Sequence, residues 1–161
     1  MPVFDLLLKA TLESIHTITV DEAFCFRVKF ACDGCGDVSE KAQVFSWTDS
    51  VEVPGGKGSA KFLAKCKGCS RPYNVDIAST AADFVYTAEH SGAWRRVASV
   101  ECRGGVNPVA FEIGDGYKVT GPKAEWCNQD LGDDWAEFDE EADTSVSILS
   151  VESRFELAGR K

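Results

Sequence analysis

The chain has 161 residues, 44% of them hydrophobic, with 17 lysines and arginines against 26 acidic residues and a formal charge of −9. That length and hydrophobic share suffice for a core of its own, so a single domain over residues 1–161 is expected. The acidic balance argues against a general nucleic-acid binder, because phosphate repels such a surface, and seven cysteines, an odd number, exclude a fully paired disulfide framework.

The first stretch, MPVFDLLLKATL, has Asp5 inside its apolar run, no basic region before it and no small-residue cleavage site after it, so it does not read as a signal peptide. Phe4, Leu6, Leu8, Ala10 and Leu12 alternate with their neighbours as on a half-buried strand, and Phe24, Phe26, Val28 and Phe30 alternate more clearly. AQVFSW (42–47) adds a short β-branched and aromatic run. PGGKGSAK (54–61) has the composition of a phosphate-binding loop but not the GxxxxGK[ST] spacing, and no helical pattern follows it, so a hairpin loop is the better reading. Tyr73, Val75 and Ile77 alternate again. Between AFEI (110–113) and YKV, Asp115-Gly116 is a dipeptide that tolerates positive φ and signals a hairpin. DWAEFDEEA (134–142) places Trp135, Phe138 and Ala142 on one side of a short helix, with an irregular acidic segment as the equal alternative. SVSILSVESRFEL (145–157) closes the chain as a β-rich run. No run approaches the roughly 18 apolar residues of a membrane span. The expectation is a mainly β protein, with antiparallel sheets arranged as a sandwich or a barrel-like structure.

One device recurs. VKFACDGCGDV, FLAKCKGCSRP and ASVECRGGVNP each have the form strand, cysteine, glycine-bearing turn, strand. The turn carries a second cysteine in the first two, Cys35 and Cys69, and Gly105 in the third. This suggests two related halves within the one domain.

Cys32, Cys35, Cys66 and Cys69 therefore form two Cys-x-x-Cys pairs separated by 30 residues. Two residues between cysteines on a tight turn let both sulfurs face one ion, and Gly34, Gly36 and Gly68 permit the backbone angles that aim amides at the sulfurs. Two such turns supply a tetrahedral set of thiolates, the preferred donors of a structural Zn2+, one ion per chain, joining two hairpins. Compared with the familiar gap of roughly 15–20 residues, the longer one costs only about 0.5 kcal/mol of loop entropy against an apparent zinc-binding energy of ~10 kcal/mol or more. Unligated thiols and a redox couple are the alternatives. The redox arrangement needs a helix at the first cysteine to lower its pKa, and CDGCGD has glycines there. Iron accepts the same four sulfurs, and ligand type alone does not separate it from zinc.

The basic run from Lys57 to Arg71 (Lys57, Lys61, Lys65, Lys67, Arg71) contains no acid, and Lys65, Lys67 and Arg71 would offset the −2 charge of a zinc tetrathiolate. From Glu125 to Asp143 there are nine acids and no base, read as a solvated face. Four thiolates close the metal's shell, so catalysis by it is not expected. His16 and His90 have no ligand-like spacing. Cys25, Cys102 and Cys127 read as small packing residues.

In order along the chain, LKATLESI, CDGCG, GGKGSA followed by KCKGC, VECRG with NPVAF, and DWAEFDEEADTSVSI resemble the eukaryotic CXXC-motif-containing zinc-binding proteins, a family long catalogued as a domain of unknown function. The resemblance covers almost the whole chain. It implies a small, mostly β, intracellular protein with one zinc held by Cys32, Cys35, Cys66 and Cys69. It also implies that VECRG has no metal role, and it supplies no enzymatic reaction. The sequence as a whole points to a non-enzymatic, monomeric zinc-binding protein of the cytoplasm or nucleus whose partner is another protein, with neither nucleic acid nor membrane expected. Two alternatives stay open: a thiol-based metal-handling or redox protein using the same cysteines, and a zinc-ribbon-like nucleic-acid binder working through residues 57–71.

Overall fold

The structure, a computed structural model, describes residues 2–21, 23–53, 58–79 and 84–158. Among these residues fifteen strands follow one another: β1 (Val3–Glu13), β2 (Thr17–Thr19), β3 (Cys25–Cys32), β4 (Gln43–Ser46), β5 (Val51–Glu52), β6 (Ser59–Ala60), β7 (Phe62–Lys65) and β8 (Pro72–Ser79), then β9 (Val85–Thr87), β10 (Arg95–Arg103), β11 (Val106–Glu112), β12 (Tyr117–Thr120), β13 (Glu125–Gln129), β14 (Trp135–Asp139) and β15 (Thr144–Leu157). A single 3-10 turn, Ala88–His90, is the one helical element among the described residues. None of their helices is long and apolar enough to cross a membrane.

The strands form a six-stranded sheet in the order β14-β15-β1-β10-β8-β7, a four-stranded sheet β13-β12-β2-β9, a three-stranded sheet β11-β3-β4 and a ribbon β5-β6. The fold is antiparallel and mainly β, as the alternating apolar pattern requires. Period-2 alternation is strictest in β3, where Phe26, Val28, Phe30 and Cys32 are buried, and it recurs in β8 with Tyr73, Val75 and Ile77. These side chains join those of β1, β10, β12 and β15 in one contiguous core drawing on all three larger sheets.

Alternation breaks where a strand bulges. In β15, Val146 and Ile148 face the core, but further along the partly buried residues are Val151, Ser153 and Phe155, which have the opposite parity. The shift coincides with a register change against β1 and with Ser150 in the left-handed region at φ 54°.

Three local expectations are corrected. Asp115-Gly116 does turn with positive φ at Gly116, but it is not a hairpin: β11 pairs with β3 and β12 with β2 and β13, so the turn carries the chain between sheets. The VECRGG turn likewise passes from β10 in one sheet to β11 in another, whereas its two counterparts turn within a sheet. DWAEFDEEA contains the strand β14 and no helix: Trp135 and Asp139 point inward as period 2 allows, while Phe138, expected on the same face as Trp135, is exposed and Ala142 lies in the turn after the strand. Of PGGKGSAK, residues 54–57 lie outside the described residues. The flanking β5 and β6 pair as the expected hairpin, with the Val53 amide donating to the Gly58 carbonyl at 3.0 Å.

Two buried polar groups fix connections that apolar packing leaves free. The hydroxyl of Tyr86, fully buried, accepts from the Ala10 amide at 3.1 Å and lies within 2.7–3.0 Å of the carbonyls of Ala10, His90 and Ala93. It ties β1 to the segment after β9. The carboxylate of Asp139, also buried, accepts from the amides of Lys123 and Ala124 at 2.8 Å and of Ala142 at 3.1 Å, pinning the β12–β13 turn to the β14–β15 turn. Burial pushes the Asp139 pKa up, and the Ala124, Lys123, Ala142 and Glu141 amides together outweigh it, leaving the carboxyl below its usual range.

Removing the hydroxyl in Tyr86→Phe strands the Ala10 groups, and a loss of about 1–3 kcal/mol is expected, read as a lower urea midpoint at unchanged slope. Asp139→Asn should lower the melting temperature at neutral pH. Because the native carboxyl is depressed, its contribution is complete above the unfolded value of about 3.9 and vanishes as pH falls through the native one. The gap between the two proteins should therefore close below about pH 4 in parallel melts.

Candidate metal centre

The two Cys-x-x-Cys turns repeat each other bond for bond. In the first, the Cys32 amide donates to the Asp37 carbonyl at 2.9 Å and the Gly36 amide to the Cys32 carbonyl at 2.9 Å. In the second, the Cys66 amide donates to the Arg71 carbonyl at 2.9 Å and the Ser70 amide to the Cys66 carbonyl at 2.8 Å. The fourth residue after the leading cysteine is left-handed in both, Gly36 at φ 77° and Ser70 at φ 63°. The leading cysteines continue the inward side of their hairpins and are buried, while Cys35 and Cys69, at the turn tips, are exposed.

All four Sγ atoms lie within 4.8 Å of one another, with Cys32–Cys69 at 3.8 Å and Cys35–Cys66 at 3.4 Å. A tetrahedron with Zn–S bonds of ~2.3 Å has sulfur–sulfur edges of about 3.8 Å, so this donor set fits one Zn2+. Each close pair takes one sulfur from each turn, so an ion here ties the end of β3 to the end of β7.

The electrostatics of the bare thiols are lopsided. The Cys35 and Gly34 amides hold the Cys32 thiol down at about 7. The Asp37 amide favours the Cys35 thiolate, but the sulfur of Cys66, burial and the sulfur of Cys32 outweigh it and push that thiol up to about 12. Thiolates this close repel one another, and a divalent cation at their centre is what makes four of them compatible.

The glycines inside the turns serve close approach more than backbone angle. A Cβ at Gly68 would stand 2.9 Å from the Cys35 Sγ, and one at Gly34 would stand 3.0 Å from the Arg71 guanidinium. Each turn is thus notched where the other reaches across it. The third turn, expected to have no metal role, buttresses both: the Asp33 amide donates to the Gly105 carbonyl at 2.8 Å, Asn107 donates to the Asp33 carboxylate, and a Cβ at Gly104 would collide with the Pro72 carbonyl at 2.6 Å. The Arg71 guanidinium lies beside Gly34 and Gly105, and Arg71, Lys65 and Lys67 are all exposed. Sequence reasoning missed Asp33, Gly104 and Asn107. The only available signal was that VECRGG repeats the turn motif without its second cysteine.

Below the sulfurs, Phe30, Phe45, Phe62 and Tyr73 form an aromatic cluster with ring centroids 5.8–6.4 Å apart. Of the other cysteines, Cys102 is buried as expected, its thiol pushed up to about 12 by burial and then by Glu101. Cys25 and Cys127 are exposed, contrary to their reading as packing residues. Cys25 is odd-numbered on a strand whose even positions face the core. His16 is exposed and His90 packs its ring against Thr87, so neither joins the cluster.

Antiparallel β sheets tied by two facing knuckles with four thiol donors define a zinc-binding β protein. Comparison with known proteins agrees. The family model described as "CXXC motif containing zinc binding protein, eukaryotic" matches residues 5–156. The mouse protein named "CXXC motif containing zinc binding protein" is 37% identical over 154 residues, covering 93% of this chain and 95% of that protein, and the human one is 36% identical over 154 residues with the same coverage. The crystal structure of C1orf123 superposes with a TM-score of 0.86 at 35% identity, covering 97% of this chain and 99% of that one. A hypothetical protein from Plasmodium falciparum, at 22% identity and TM-score 0.85, shares the fold. The chain belongs to the eukaryotic CXXC-motif-containing zinc-binding protein family.

Cys66→Ser should reduce zinc from one ion per chain toward none and cost several kcal/mol of stability, read by elemental analysis and thermal melts. Cys102→Ser is the control: it burdens the core with a buried hydroxyl but should keep the full zinc content.

Proposed function

We propose that this zinc-binding protein is not an enzyme and that it works by binding another protein through its folded surface, in the cytosol or nucleus. The observation that carries this reading is the closed donor set: four sulfurs within 4.8 Å of one another leave a zinc ion no open position for water or substrate. A reducing compartment is what such a thiolate set requires to persist. The chain's basic run adds little support for nucleic-acid binding, because it is dispersed: Lys61 lies over the Trp47 ring at 4.8 Å and Arg71 lies across the knuckles, while Lys57 is outside the described residues.

One observation favours a second reading, metal handling through the same cysteines. Cys35 and Cys69 are exposed, so an incoming thiol has access to half of the ligands. Native mass spectrometry of the chain purified from its own cells, followed by a chelator challenge, separates the two. The first reading expects one zinc per chain, a retained protein partner, and a metal that resists a strong chelator for hours. A lone chain whose zinc passes to the chelator or to a thiol acceptor within minutes would replace it with the second.

A further inference from the structure

The six-stranded sheet is open at β7. β5 covers the neighbouring Ser59–Ala60, but among the described residues Phe62–Lys65 pairs on one side only, with β8. Because the Cys66 amide donates across the hairpin to Arg71, alternation turns the backbone groups of Phe62 and Ala64 toward β8 and those of Leu63 and Lys65 outward. The side chain of Phe62 lies in the aromatic cluster, so Ala64 shares that inward face and Leu63 and Lys65 take the other.

Beside this edge is a cavity of about 600 Å³, walled on the β7 side by Ala64, Lys65, Cys66 and Lys67 and floored by Phe30 and Tyr73. Lys41 and Glu40 also line it, Asp37 lies against Gly68 beside Lys67, and Val38, 48% exposed, is among the lining residues. Lys41, Lys65 and Lys67 have no salt-bridge partner among the described residues. On a chain with a net charge of −9, the three lysines against two acids around this edge and cavity are a local basic excess. Lysines on an edge repel a strand that cannot neutralise them, and the same charge favours one that can.

We infer that the β7 edge and its cavity are a docking site for an extended acidic segment of another protein. The segment adds as a strand against Leu63 and Lys65, its carboxylates alongside the lysines and its alternate apolar side chains entering the cavity beside Ala64. This rests on the protein-binding reading and names its surface. Since β7 runs directly into Cys66, the zinc knuckle fixes the end of the edge that the segment meets.

The test uses the full zinc-loaded chain, labelled with 15N, and a short synthetic peptide of alternating glutamate and valine. The amides of Leu63 and Lys65 should shift and exchange more slowly. The same peptide with lysine for glutamate should bind at least ~10-fold more weakly, N-methylation of its bonded edge should abolish binding, and the Lys65→Glu, Lys67→Glu double variant should reverse the preference. Absent shifts, shifts away from β7, or equal binding of the lysine peptide overturn the proposal. So do concentration-dependent β7 shifts without peptide, which would assign the edge to a second copy of this chain. If a natural partner is retained but protects amides elsewhere, this surface is wrong while protein binding stands; if neither partner nor peptide binds, both readings fail.

Discussion

The constraint on which the structure depends is that four sulfurs, borne by turns 30 residues apart in sequence and belonging to different sheets, meet within 4.8 Å. Thiols do not gather there on their own account, since each thiolate formed makes the next harder to form. The approach is prepared from below and from the side. Phe30 and Tyr73, each close in sequence to a knuckle, pack with centroids 5.8 Å apart, and the notches at Gly34 and Gly68 let the turns close over one another. Zinc then adds a cross-link worth on the order of 10 kcal/mol, comparable to the whole net stability of a domain this size. Apolar packing brings the two hairpins into register, and the metal makes their separation costly.

How much of this was legible follows from which forces are local. The metal ligands could be read because zinc demands four donors of one kind, and a pair spaced for one turn has few other uses. β3 could be read because one face is buried along its length, so alternation from Phe24 to Phe30 survives without interruption. The destination of a turn could not. Asp115-Gly116 and Gly104-Gly105 announce positive φ correctly, but whether the strands they join then pair with each other depends on partners tens of residues away, β3 for one and β1 for another. For the same reason β15 hid its bulge, and β14 passed for half a helix: Trp135, Phe138 and Ala142 are spaced three and four apart, but the strand turns Trp135 and Asp139 inward and Phe138 out.

The third turn shows how a motif can outlast its chemistry. VECRGG keeps the strand, the cysteine and the glycines of the knuckles, yet its cysteine, Cys102, is buried in the core, and its glycines accommodate Pro72 and Arg71 instead of a metal. Its contribution is geometric. By holding Asp33 from one side and pressing on Pro72 and Tyr73 from the other, it fixes the distance between the two knuckles before any ion is present.

Affinity alone does not separate a structural zinc from a transferable one, because four thiolates bind tightly in either case. Exchange by an incoming thiol is governed by access: it proceeds by replacing one ligand at a time, beginning with an exposed sulfur. Cys32 and Cys66 end inward-facing strand positions and are buried, whereas Cys35 and Cys69 stand exposed at the tips. The burial pattern therefore splits the site into an anchored pair and an approachable pair, one of each in every knuckle. Any partner that covers the tips slows metal exchange, and any that leaves them open does not. A strand docked along β7 ends at Cys66, on the anchored side, so it would stiffen the second knuckle while leaving the tip of the first uncovered. A partner docked at the β7 edge would therefore leave the exposed tips, and with them the route for an incoming thiol, open.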